Sequence, residues 1–259
     1  MGSLSDYSEN KLLDLALSGA AFARAANVFA SLHTATLTDT GGGAEVSGNN
    51  YARKSILNDS TNFPAAAALA KALAVQKDFA TASGSWGTVT DQGLWDASSA
   101  GNLLVGDTIA TPQTIGANQT PFIAAATGLT ISLSGDITTY LGNLLLDHLL
   151  GGPDFTPAAT LYFALFVAGV EVTGNGYARR AVTNDATNFP AAVGGVKSNG
   201  TVIDFVMPTG PWGTVDAVRV FDASSGGNTW FSKALITPRS PDVNKPARFS
   251  AGNLSFSLS

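Results

Sequence analysis

The chain contains no cysteine, which removes disulfide bridges and thiolate metal sites from consideration. Only two histidines are present, and charged residues make up 13% of the chain, about half of the roughly 25% usual for soluble domains. The surface must therefore be built from Ser, Thr, Asn, Gly and Ala, a composition suited to lying against other protein copies. Fourteen Lys and Arg stand against nineteen Asp and Glu, for a net charge of -5. No window gathers the cations into a stripe, so nucleic acid is not an expected partner. No apolar run reaches the roughly 18 residues of a membrane span. The polar opening Ser3-Leu4-Ser5-Asp6 does not read as a signal peptide. A nucleophile elbow, a Gly-Lys-Ser phosphate loop and a dinucleotide fingerprint are all missing, and Gly41-Gly42-Gly43 lacks the Lys and following helix of a phosphate loop.

What is present is an internal repeat. Val46, Gly48, Asn49, Tyr51, Ala52 and Arg53 recur as Val172, Gly174, Asn175, Tyr177, Ala178 and Arg179. At the same spacing Thr61-Asn62-Phe63-Pro64-Ala65-Ala66 returns as Thr187-Asn188-Phe189-Pro190-Ala191-Ala192, and Trp86-Gly87-Thr88-Val89 as Trp212-Gly213-Thr214-Val215. Asp96-Ala97-Ser98-Ser99 and Thr111-Pro112 match Asp222-Ala223-Ser224-Ser225 and Thr237-Pro238. Upstream, Tyr7, Asn10, Leu12, Leu13 and Asp14 correspond to Tyr140, Asn143, Leu145, Leu146 and Asp147. Roughly thirty identities in register define a tandem duplication. The boundary at Ser134-Gly135 gives two domains, 1–135 and 136–259, with no long linker. Extra residues around Asp39 to Gly43 in the first copy, where the second has a short Gly169-Val170-Glu171 link, mark a loop.

Each copy opens with a helical stripe, Leu12, Leu13, Ala16 and Leu17 in the first. Asp6 and Glu9 read as its capping pair and Ser18-Gly19 as its stop; Thr138 or Thr139 caps the second, and Gly151-Gly152-Pro153 ends it. Short β-like runs follow: Val28 to Leu32 and Leu161 to Val167, Trp86 to Val89 and Trp212 to Val220, Leu129 to Leu133 and Leu254 to Leu258. Ala65 to Lys77 is Ala-rich and helical by propensity. Its counterpart carries Gly194, Gly195 and Gly200, which favour strands joined by a turn, and the extended reading is adopted for both. The fold class is mainly β: two tandem β-sandwich, jelly-roll-like domains, each with a short N-terminal α-helix.

Duplication tests candidate chemistry, because a shared site needs residues present in both copies. His33 aligns with Phe166 and His148 with Leu15, so no shared metal or acid–base site includes histidine. The paired acids Asp59/Asp185, Asp78/Asp204 and Asp96/Asp222 could be glycosidase carboxylates, but the first and last pairs lie in turn sequences where Asp bonds its local backbone. Calcium lacks an EF-hand spacing. Trp86 and Trp212 could stack on a sugar; inside period-2 runs they fill a core instead. Arg53 and Arg179, in the Tyr51-Ala52-Arg53 and Tyr177-Ala178-Arg179 triplets, are expected to pair with a carboxylate such as Asp96 or Asp222. The six residues Tyr51, Arg53, Trp86, Tyr177, Arg179 and Trp212 are thus structural site candidates. No catalytic residue, cofactor or metal is expected, and the chain does not read as an enzyme.

The Leu-Leu-Asp helix end, the Tyr-Ala-Arg triplet, Trp-Gly-Thr-Val and the Asp-Ala turn together resemble small virion structural proteins of tailed bacteriophages, often described as tail-fibre-like. The resemblance covers nearly the whole chain twice. It implies a virion location, many copies per particle and other virion proteins as partners. Two similar faces related by a pseudo-two-fold suggest a capsid decoration (cement) protein on the major capsid protein. A tail or fibre component is the alternative, and a carbohydrate-binding host-attachment adhesin with exposed Trp86 or Trp212 is the rival of another class.

Overall fold

A computed structural model describes residues 2–259. The first repeat comprises β1 (Ser3–Leu4), α1 (Asp6–Ala16), β2 (Asn27–His33), β3 (Lys54–Leu57), β4 (Ala70–Ala72), β5 (Lys77–Asp78), β6 (Gly87–Trp95), β7 (Leu103–Ile115), β8 (Phe122–Ile123) and β9 (Thr130–Ser132). The second comprises α2 (Thr139–Leu149), β10 (Thr160–Val167), β11 (Val170–Glu171), β12 (Arg180–Thr183), β13 (Val196–Ser198), β14 (Ile203–Asp204), β15 (Val215–Phe221), β16 (Thr229–Arg239), β17 (Arg248–Phe249) and β18 (Ser255–Ser257). The class is mainly β with a helix opening each repeat, as the sequence indicates.

Each repeat has one five-stranded antiparallel sheet, ordered β1-β7-β6-β2-β3 in the first and β11-β10-β15-β16 in the second, where β12 also pairs with β10. Two short ladders flank each sheet: β4-β9 and β5-β8, then β13-β18 and β14-β17. The Ala-rich segment is extended, as its glycine-bearing counterpart required. Ala67 and Ala70 close a two-residue turn through reciprocal backbone bonds, as do Val193 and Val196. Ala68 and Leu69 occupy the left-handed region at φ 51° and 63°, where the second repeat has Gly194 and Gly195 at 57° and 67°. Two successive positive φ values are the signature of the hairpin-forming turn.

Three local expectations are corrected, and one alternative is resolved. The α1 cap is Ser5, whose Oγ accepts from Ser8 N, and Asp6 is already the first helical residue; a β-region backbone and a short hydroxyl suit the cap position. Thr138 caps α2 by the same bond, to Leu141 N. The Gly169-Val170-Glu171 segment is strand β11 rather than a link, because Ala168 and Gly169 both take positive φ and form a tight hairpin turn. Trp86 stands immediately before β6, which opens at Gly87, and Trp212 stands three residues before β15; the glycine after each Trp takes a positive φ, 84° at Gly87 and 82° at Gly213.

The helices connect the repeats. α1 packs on β7 of its own repeat and on β13 of the other, while α2 packs on β16 and on β4. Asp14 on α1 accepts from Ala192 N and from Lys197 Nζ, and Asp147 on α2 accepts from Ala66 N and Lys71 Nζ, both Lys–Asp contacts at 2.5 Å. Asn10 and Asn143 cap the opposing hairpin turns at Gly195 N and Leu69 N. Asn184 donates to Ala16 O, and Asn58 to Leu149 O. At the centre, Ser134 N donates to Ser259 O and Ser259 N to Ser134 O. These contacts come in mirrored pairs, so the repeats face each other about an approximate two-fold axis. One apolar cluster runs through both, from Leu4 through Leu12, Phe63, Leu145 and Phe189 to Leu258, with each large side chain contributing about 1.5–3 kcal/mol.

Candidate functional site: the repeated aromatic and arginine clusters

The six candidate residues converge as two equivalent clusters, one per repeat. Trp86 and Trp212 are each 5% exposed. Their indole N–H groups donate to Asn49 O and Asn175 O, at 2.9 and 3.1 Å. Each indole meets a tyrosine edge-on, Tyr51 and Tyr177, with ring centres 5.2 Å apart in both repeats. Phe79 and Phe205 complete the two aromatic triads. With the ring face covered and its one donor satisfied, neither Trp offers a sugar-stacking platform.

The tyrosine hydroxyls bridge backbone to carboxylate. Tyr51 accepts from Leu32 N and donates to Glu45; Tyr177 accepts from Leu165 N and donates to Glu171. Burial raises both phenol pKa values above the ordinary range. The glutamates are the arginine partners, a correction to the expected Asp96 and Asp222. Arg53 places Nε and one terminal nitrogen on the Glu45 oxygens at 2.9 and 2.8 Å, and Arg179 does so on Glu171 at 2.8 Å for both bonds. Such bidentate pairs are the strong form of the interaction. Asp96 and Asp222 have their oxygens filled by Asn102 and Asn228, closing their own turns.

The remaining guanidinium nitrogen ties in the loop after the central strand, on Ala97 O and Ala100 O in one repeat and Ala223 O and Gly226 O in the other. Arg53 lies 4.0 Å from the Trp95 ring centre and Arg179 3.7 Å from that of Phe221, adding a cation–π contact. Burial alone would raise the Glu45 carboxyl, but hydrogen bonds from Arg53 and Tyr51 reverse this and hold it below its ordinary value. Each cluster is a clip joining three chain segments that are distant in sequence.

A family model described as podophage GP4 fiber I protein gp80 matches residues 3–132 and again residues 136–257. The chain belongs to that family. It is a structural protein of the phage virion and associates with other virion proteins. No curated protein matches the chain by sequence.

In this gp80-family chain the other candidates hold the fold as well. Asp59 accepts from Asn62, and Asp185 from Thr187 and Asn188, as turn formers do. His33 is a core residue, hydrogen-bonded to Ser31 Oγ and stacked on Trp95, with burial lowering its pKa. His148 joins the repeats: its Nε2 bonds Phe22 O, and Phe155 N donates to its Nδ1. Among the described residues, no three His, Asp or Glu side chains come together as a metal site. No described helix is long and apolar enough to cross a membrane.

Sequence reasoning missed two matched sets. Glu45 and Glu171 adjoin the first residues of the repeated block, Val46 and Val172, and their identity was a usable signal. Lys71 and Lys197 also correspond, and a Lys retained at equivalent positions of an apolar segment points to a buried partner.

Proposed function

We propose that the protein is a structural component of the phage fibre and carries no catalytic role. The supporting observation is the match of both repeats to a fibre-protein family, joined to clusters whose polar groups are consumed in internal bonds. A fibre must transmit load, and the two repeats locked about one axis by reciprocal helix packing provide a stiff unit for this. The capsid-decoration reading, with the major capsid protein as partner, draws on the same two-fold form, which would suit a local two-fold site on the shell. The family description weighs for the fibre. The carbohydrate-adhesin reading loses its expected platforms, because Trp86 and Trp212 are buried.

Particles depleted of the protein distinguish these roles. A fibre component leaves heat stability of the packaged genome unchanged and abolishes host adsorption. Normal adsorption with genome release at lower temperature would overturn the fibre reading in favour of the shell.

A further inference from the structure

Both repeats carry a cleft at the same place, between the end of their longest strand and the loop that follows. Its wall is a bulge in that strand. The β6/β7 register jumps from Val89↔Gln113 to Asp91↔Thr108, and the β15/β16 register from Val215↔Arg239 to Ala217↔Ala234. The floors match: Leu32, Val89 and Ile109 in the first cleft, Leu165, Val215 and Leu235 in the second. The volumes are about 750 and 430 Å³, within the range of sites for small ligands.

The rims differ in charge. Gln113, Gln119 and Phe122 of the first cleft are replaced by Arg239, Lys245 and Arg248 in the second. Arg248 is neutralised by Asp204 through two bonds to its carboxylate. Arg239 and Lys245 form no ion pair among the described residues, and no Asp or Glu lines this cleft. Two unneutralised cations thus stand over a floor of Leu, Val and Pro. Cations so placed attract an oxyanion, and the apolar floor rewards a hydrophobic body attached to it.

We propose that the cleft of the second repeat binds a small ligand carrying one oxyanion, a carboxylate or a phosphate, on an apolar body. The first cleft, with amides at the same positions, does not share this preference.

Titration of the full chain with phenyl phosphate, benzoate and benzyl alcohol, followed by amide NMR shifts, tests the proposal. Saturable shifts confined to the cleft lining, Leu165, Val215 and residues 235–249, are expected with one or both anions, and which anion acts identifies the head group. The Arg239→Gln/Lys245→Gln variant, which copies the first repeat, should weaken binding about tenfold or more while keeping a dispersed spectrum. Lys11→Gln/Arg180→Gln changes net charge equally at exposed sites outside the cleft and should leave binding intact. Equal binding of benzyl alcohol, equal loss in the control variant, or no saturable shift would overturn it.

Discussion

At the residue scale the repeat interface rests on two lysines whose side chains are fully buried, Lys71 and Lys197. Burial lowers both ammonium pKa values against the pull of Asp147 and Asp14. Removing one partner of such a pair strands the other. Lys197→Met should therefore cost about 3 kcal/mol in urea unfolding, and Asp14→Leu/Lys197→Met should cost less than Lys197→Met alone. Glu9 gives a pH signature. Burial first, and then Asp6 and Asp39, raise its carboxyl to about 7 from an ordinary 4.5. Between those values the fold keeps a proton that the unfolded chain has released, so stability falls as pH rises through that window. Glu9→Gln should remove the fall, gaining up to about 3 kcal/mol above pH ~7.5 and nothing near pH ~4; equal gains at both would refute the assignment. Asp14 and Asp147 were visible in sequence as matched residues. Their partners were not, because repeat identity does not say whether a residue pairs within its copy or across the axis.

At the element scale, the hairpins that receive the helices show how the two repeats have diverged to fit one another. Gly142 on α2 lies against Leu69, where an added Cβ would come within 2.2 Å of the leucine. Across the axis the sizes are reversed: Glu9 on α1 lies against Gly195, where an added Cβ would meet the carboxylate at 2.3 Å. Each large side chain thus faces a glycine, an arrangement that repeat pairs of one kind alone could not reproduce. Gly195→Leu should destabilise the protein, and adding Glu9→Gly should recover part of the loss, with a coupling of about 1–3 kcal/mol in a double-mutant cycle. Additive effects would show that the two positions do not interact. The turn itself was legible from Gly194-Gly195, and it carried over to Ala68-Leu69 although those residues favour helix. Propensity lost there to tertiary context, since the segment must pair with β9 and receive α2. The hairpin made by β11 was not legible, because Ala168 gives no sign that it adopts positive φ.

At the scale of the whole molecule, duplication, β class and the opening helices could be read from periodicity and repeated words. The reciprocal packing of each helix on the other repeat could not. A helix stripe shows which face is buried, and it does not name the surface that buries it. Because the apolar cluster is continuous and the ion pairs cross the axis, unfolding one repeat exposes the core of the other. The two repeats should therefore melt as one unit. Differential scanning calorimetry of the full chain tests this most directly: the calorimetric and van 't Hoff enthalpies should agree, with a ratio of about one. A ratio of about two, or two resolved transitions, would mean that the repeats unfold independently and would contradict the shared unit on which the structural role is built.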